Sequence, residues 1–145
     1  MSAKGHLRAA FTLVEIAITL CIISILSAIA IPAGGRLLDS IRVNGAVVEI
    51  GSLFGAARHF AIARSTQTTV EIDTAHRVIN VLAGQDTLRK REIGRVHDVR
   101  LSATRVRMSY AATGMGYGAA NLSVVVRRND SVDTVFVSRL GRVRH

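Results

Sequence analysis

The 145-residue sequence is poor in the residues that staple, stack or break a fold: one Cys, one Pro, no Trp and only two Tyr. A lone cysteine excludes an internal disulfide framework and any Cys-based zinc module. Four Phe and two Tyr offer few of the stacking surfaces that single-stranded nucleic acid requires. The five histidines (His6, His59, His76, His97, His145) fall in different predicted elements, without the close spacing of a metal site, so solvated or locally hydrogen-bonded imidazoles are expected. Gly114-Met115-Gly116-Tyr117-Gly118 lacks the third glycine of a dinucleotide loop and no helical pattern follows it, which predicts a turn. No nucleophile motif places a Ser/His/Asp set. The expectation is a protein that is not an enzyme and takes no cofactor or metal.

What is present argues for a folded chain of one domain. Apolar residues make up 49% and charged residues 20%, outside the range of a disordered tail. Basic charge is carried by 17 Arg and 2 Lys and is unevenly spread. Residues 11–87 hold 5 basic and 6 acidic side chains, whereas residues 88–145 hold 12 and 4, so the second part invites a polyanion or an acidic partner surface.

From Phe11 to Ile31 runs a stretch of 21 residues whose only charge is Glu15, with Lys4 and Arg8 before it and Pro32 and Arg36 after it. At about 1.5 Å per residue it spans roughly 30 Å, the thickness of the hydrocarbon core of a bilayer. Twelve of the 21 are Leu, Ile, Val or Phe, and their summed insertion energy outweighs one acid near the end of the run. A cleaved secretory signal and an ordinary signal anchor compete for such a segment, but the first is usually shorter and the second leaves Glu15 without a reason. Small residues before Cys21 are lacking, which argues against a lipoprotein signal. Ala17, Ser24, Ser27, Ala28 and Ala30 supply small surfaces for helix approach within a membrane, and Cys21 reads as a small apolar packer.

The run Ala10-Phe11-Thr12-Leu13-Val14-Glu15, with a short basic leader before it and an aliphatic stretch closed by Pro32 after it, resembles the processing and assembly segment of type IV pilins and type II secretion pseudopilins. The resemblance implies that a membrane-embedded prepilin peptidase cuts between Ala10 and Phe11 and methylates the new amino group of Phe11. Ala10 stands where that family usually has Gly. Glu15 then becomes the fifth residue of the mature chain, whose carboxylate meets the terminal amine of a neighbouring subunit. A carboxylate in hydrocarbon is costly and marks a functional partner, which agrees with that role.

Beyond Pro32, Leu37, Leu38, Ile41, Val48, Leu53 and Phe54, with Ala57 and Ala61, recur at helical spacing and predict an amphipathic helix to about Arg64, kinked at Pro32. After Ser65 short β-rich segments follow one another, which predicts an antiparallel sheet. Residues 68–73 and 77–82 are expected to pair, as are residues 95–101 with 104–110, and 122–128 with 132–139 around Asn129-Asp130. Residues 57–64 and the terminal run Phe136 to Arg144 resemble the pseudopilin H and minor pilin T group (GspH/FimT type).

The expected protein is therefore α+β and pilin-like: a long N-terminal helix, transmembrane in its first half and amphipathic in its second, packed on a small antiparallel β-sheet head. Its organisation reads as a cleaved leader (1–10), a transmembrane helix (11–31), a stem helix (32–65) and a β-rich head (66–145). The resemblance implies a single-pass inner-membrane protein with its head in the periplasm, serving as a minor pseudopilin of a type II secretion pseudopilus or a minor pilin. Implied partners are other pseudopilins or pilins, the prepilin peptidase/methyltransferase, the inner-membrane assembly platform and membrane lipid. Arg127, Arg128, Arg139, Arg142 and Arg144 admit three readings: a solvated face, a contact for acidic patches on sister subunits, or a grip on DNA phosphates in a DNA-uptake pilus.

Overall fold

The computed structural model describes residues 12–117, 121–138 and 140–145. Helix α1 spans Leu13–Ala63 and includes Pro32. The chain divides after Gly35 into two units, residues 1–35 and residues 36–145.

Among the described residues of the first unit only helix is present, and its large apolar side chains from Leu13 to Ile31 are exposed. Thr12 caps the helix: its Oγ1 accepts from the backbone N–H of Glu15 (3.2 Å). The hydroxyls of Thr19 and Ser24 donate to the carbonyls of Ile16 and Leu20, so neither leaves an unpaired polar group in an apolar stretch.

In the second unit α1 ends in a turn that satisfies its last carbonyls. Ser65 takes the left-handed conformation (φ 48°), Ser65 N–H donates to Ile62 and Thr66 N–H to Ala61. Among the described residues nine strands and one short helix follow: β1 Thr68–Asp73, β2 Val78–Ala83, β3 Asp86–Arg91, α2 Ile93–His97, β4 Arg100–Ala103, β5 Arg107–Tyr110, β6 Gly116–Tyr117, β7 Leu122–Arg128, β8 Ser131–Val137 and β9 Val143–Arg144. They form two antiparallel sheets, ordered β3-β2-β1-β5-β6 and β4-β7-β8-β9.

One face of α1 closes the core against both sheets. Val43, Ala46, Val47, Ile50, Leu53, Phe54, Ala57 and Ala61 are buried, meeting Val70, Ile72, Ile79 and Val81 of one sheet and Leu122, Val124, Val126, Val135 and Val137 of the other. Three alanines in that stripe let strands approach the helix closely, and β1 and β7 alternate buried with half-buried positions as half-covered sheets do. Tyr110 is the largest fully buried side chain, and burial pushes its pKa up to about 12, so it stays a neutral phenol. Gly141, at φ 75°, lies on that ring, where a Cβ would come within 2.8 Å of it.

The α+β class and the hairpins β1–β2 and β7–β8 agree with the sequence expectation, the latter turning at Asn129 (φ 49°). The antiparallel sheet of the head is divided into two. Two finer expectations do not hold. Residues 95–101 and 104–110 are not partners: the first stretch is α2 followed by β4, which pairs with β7, while β5 pairs with β1 in the other sheet. Ile93 and Val99 anchor that crossing as buried side chains. Finally, Leu37, Leu38, Ile41 and Val48 are exposed, because the helix turns a different stripe toward the sheets. Ile41 lies two residues, about 200° of helix rotation, from buried Val43.

Candidate assembly segment and charged head surface

Two regions hold the residues to which the sequence pointed. In the first, Glu15 occupies the first turn of α1, three residues after its Thr12 cap. The spacing Thr12-Leu13-Val14-Glu15 is that of a capping box, and an acid in the first turn also complements the helix dipole. This local role was readable from the Thr-x-x-Glu spacing and adds to any role in assembly. The Glu15 carboxylate has no partner among the described residues. Ala10 and Phe11 lie outside the described residues. Pro32 sits inside α1, which is long and apolar enough in its early part to cross a bilayer.

In the second region, charges gather where the start of the head's helix meets the ends of β7 and α2. Arg128, at the end of β7, reaches Asp39 on α1 through Nε (2.6 Å) and the Asp98 carbonyl through Nη1 (2.6 Å), and it also pairs with the Asp98 carboxylate. Asn129 Nδ2 donates to the second Asp39 oxygen (2.7 Å), and Arg42 approaches Asp98 at 3.5 Å. Hydrogen bonds from Asn129 and then Arg128 hold the Asp39 carboxyl below the usual carboxylate range, and Arg128 does the same for Asp98. Both acids in turn raise the Arg128 guanidinium further, Asp98 most. Of the five arginines named from the sequence, Arg128 is thus tied into the fold, with 20% of its side chain exposed.

Arg127, Arg142 and Arg144 are exposed, and their side chains have no ion pair among the described residues. Arg142 and Arg144 line a groove of about 360 Å³ with Phe136 and Leu140, both of which are also exposed. Arg139 lies outside the described residues. The structure therefore does not join the four described arginines into one patch: Arg127 and Arg128 end β7, while Arg142 precedes β9 and Arg144 closes it, on the other side of β8 in the sheet order.

Two histidines are hydrogen-bonded, one locally and one across the fold. His76 Nδ1 pairs with Asp73 (2.7 Å), whose carboxyl is held low by the backbone N–H and then the ring of His76. His97 Nε2 donates to Glu49 on α1 (2.7 Å), and Arg91 completes that cluster at 3.4 Å. Sequence reasoning missed this link because its members are 48 residues apart. His59 and His145 are exposed. Among the described residues no three His, Cys, Asp or Glu side chains are grouped to hold a metal ion. Gly114 makes a turn at φ 76°, Gly116 and Tyr117 add the short strand β6, and Gly118 lies outside the described residues.

No protein-family model and no curated protein sequence matches the chain. Solved structures do. The type IV minor pilin FimU of Pseudomonas aeruginosa superimposes with a TM-score of 0.62 over 70% of this chain and 86% of its own, at 16% identity. The minor pseudopilin EpsH from the Type 2 Secretion System of Vibrio cholerae does so with a TM-score of 0.56 over 71% and 94%, at 11% identity. The fold is that of minor pilins and minor pseudopilins.

Proposed function

We propose that this chain is a minor pilin or minor pseudopilin, a structural subunit and not an enzyme, anchored in the inner membrane by its first helix with its head in the periplasm. The observation that carries the reading is the combination of a head folded like those of FimU and EpsH with an exposed apolar helical stretch, Leu13 to Ile31, that Thr12 caps and that bears one acid, Glu15. Peptidase cleavage between Ala10 and Phe11 removes residues 1–10 and leaves a methylated Phe11. The mature segment 11–31 crosses the membrane and residues 32–65 form the stem. The assembly platform gathers the subunits, and the Glu15 carboxylate meets the terminal amine of a neighbouring pilin or pseudopilin. The machine is a type II secretion pseudopilus that helps move folded proteins through the outer membrane, or a type IV pilus.

Intact-mass measurement of the membrane-extracted protein, made in cells carrying the peptidase, tests this reading. A chain starting at methylated Phe11 is expected, and an uncut Met1 chain would remove it. Glu15→Val is expected to leave insertion and processing intact and to abolish co-purification with partner pilins.

A second reading rests on the exposed, unpaired Arg142 and Arg144: a minor pilin that holds DNA for an uptake pilus. Arg142→Gln with Arg144→Gln should then weaken binding to random duplex DNA and flatten its salt dependence, by about 0.9 in log–log slope for each phosphate no longer neutralised. Absence of any DNA binding at low salt rejects it.

A further inference from the structure

A cleft of about 460 Å³ opens at the end of β7, lined by Arg77, Arg100, Arg127 and Arg128 around the single acid Asp98. Asp98 is already bound by Arg128, and Arg42 stands beside it. Arg77, Arg100 and Arg127 make no salt bridge within 4 Å among the described residues, although Arg77 is near enough to help hold the Asp98 carboxyl low. Two of them are directly opposed: Arg100 of β4 pairs with Arg127 of β7 in the sheet register, which puts like charges on one face with Cβ atoms about 5 Å apart. Like charges directly opposed in this way weaken the pairing, and an anion between them would relieve the repulsion.

The third cation is held in place at a conformational cost. Arg77 has φ 58°, in the left-handed region that a long side chain rarely adopts. Its carbonyl accepts from the N–H of Gly94 (3.0 Å), and its stem lies across Gly94 so closely that a Cβ there would fall 2.3 Å from that of Arg77. Asp98 and Asn129, also in the cleft wall, are left-handed as well, so three of the four such non-glycine residues among those described meet here. Asp and Asn adopt this conformation readily; Arg does not, and strain of this kind clusters at binding sites.

We propose that this cleft binds a compact phosphoryl anion, gripped by Arg77, Arg100 and Arg127. Guanidinium forks match phosphate oxygens in bidentate fashion, and a dianion with three or more oxygens can serve all three where a carboxylate serves one or two. The concave clustering of the cations suits a small multivalent group better than an extended backbone. The same chemistry comes from a phospholipid headgroup or from free phosphate. The site stands independently of the filament reading, since it needs no second subunit.

The test uses the full chain in nonionic detergent, titrated calorimetrically with inorganic phosphate against chloride at matched ionic strength. Saturable binding is expected. Arg100→Gln with Arg127→Gln should weaken it about tenfold or more, the worth of one charge-assisted hydrogen bond. Arg89→Gln with Arg105→Gln, exposed cations outside the cleft, should change it less than about twofold. Arg77→Gly should also weaken binding, yet melt no lower than the wild type without phosphate, because glycine relieves the left-handed strain. In nanodiscs of phosphatidylcholine with phosphatidic acid, a fall in affinity for added phosphate relative to phosphatidylcholine alone identifies the headgroup as the occupant; no change identifies a soluble phosphate. Absence of saturable binding, or equal weakening by the Arg89/Arg105 pair, overturns the proposal. So does binding of duplex DNA or a polyglutamate peptide that depends on Arg100 and Arg127 while phosphate does not bind.

Discussion

Residues 13–31 and residues 43–61 lie in the same helix, and both are rich in Leu, Ile, Val, Phe and Ala, yet the chain treats them in opposite ways. In the second stretch apolar side chains at spacings of three and four are buried by the head's own sheets. In the first, every large apolar side chain from Leu13 to Ile31 is exposed, so whatever covers it must come from outside the chain. Such a run of large aliphatic residues, exposed without interruption, is far beyond what a soluble surface carries, and in the function proposed above a bilayer or sister helices would supply the cover. Apolar composition alone does not distinguish these fates. What separates them is the face opposite the buried stripe: in the second stretch it carries polar residues such as Asn44, Ser52 and His59, whereas the first stretch is apolar nearly all round, with Glu15 its one charge.

The most severe way to break this contrast is to remove a side chain that only the head covers. Phe54 is fully buried between α1 and the sheets. Phe54→Ala is expected to destabilise the head by about 3–5 kcal/mol, read from denaturant unfolding of the full chain in detergent. Leu26→Ala, in the exposed stretch, should leave that transition unmoved. Equal losses for the two would erase the distinction.

Much of this was legible in the sequence, for reasons that differ by region. The exposed apolar run shows itself because length and apolarity are both local properties of the sequence. Hairpins β1–β2 and β7–β8 show themselves because their strands are adjacent and alternate. Strand β3 was missed because its residues are nearly all exposed and charged, the usual character of a protected sheet edge, which has no alternation to read. The pairing of β5 with β1 and of β4 with β7 joins segments far apart along the chain, and each strand's alternation reveals a buried face without naming its partner. For the charged groups the same limit applies. Arg128 looks like a free cation in a run of arginines until the fold brings Asp39, 89 residues away, to its guanidinium.

A smaller effect separates carboxylates satisfied within the head from Glu15, which has no such partner among the described residues. Asp39, Asp73 and Asp98 are all held below the ordinary carboxylate value. The unfolded chain therefore takes up protons first as pH falls. Their contribution is complete above the unfolded value and is lost as pH drops through the folded one, so the head should lose stability from about pH 5 downward and change little from there to neutrality. Asp39→Asn should lower the urea midpoint at neutral pH and flatten its fall on acidification, whereas Glu15→Gln should leave the acid profile of the head unchanged. An identical profile for Asp39→Asn would mean that the pairs around Arg128 contribute nothing to the pH dependence.

The smallest expected effect lies at the start of the stem. Leu38 and Ile41 belong to an apolar stripe that the sequence makes as prominent as the buried one, but it faces away from both sheets and is exposed. If the sheets alone decide burial, Leu38→Ser with Ile41→Ser should shift head stability by no more than about 0.5 kcal/mol each, the range of surface changes. Ile50→Ser, further along the helix and fully buried, should by contrast approach the cost seen at Phe54, because it places an unsatisfied hydroxyl and a void in the same site. Any larger loss from the exposed pair in the isolated chain would show that this stripe has a partner within the head. A loss that appears only in the presence of sister subunits would instead make it an outward-facing surface, extending to the stem the dependence on other molecules proposed for residues 13–31.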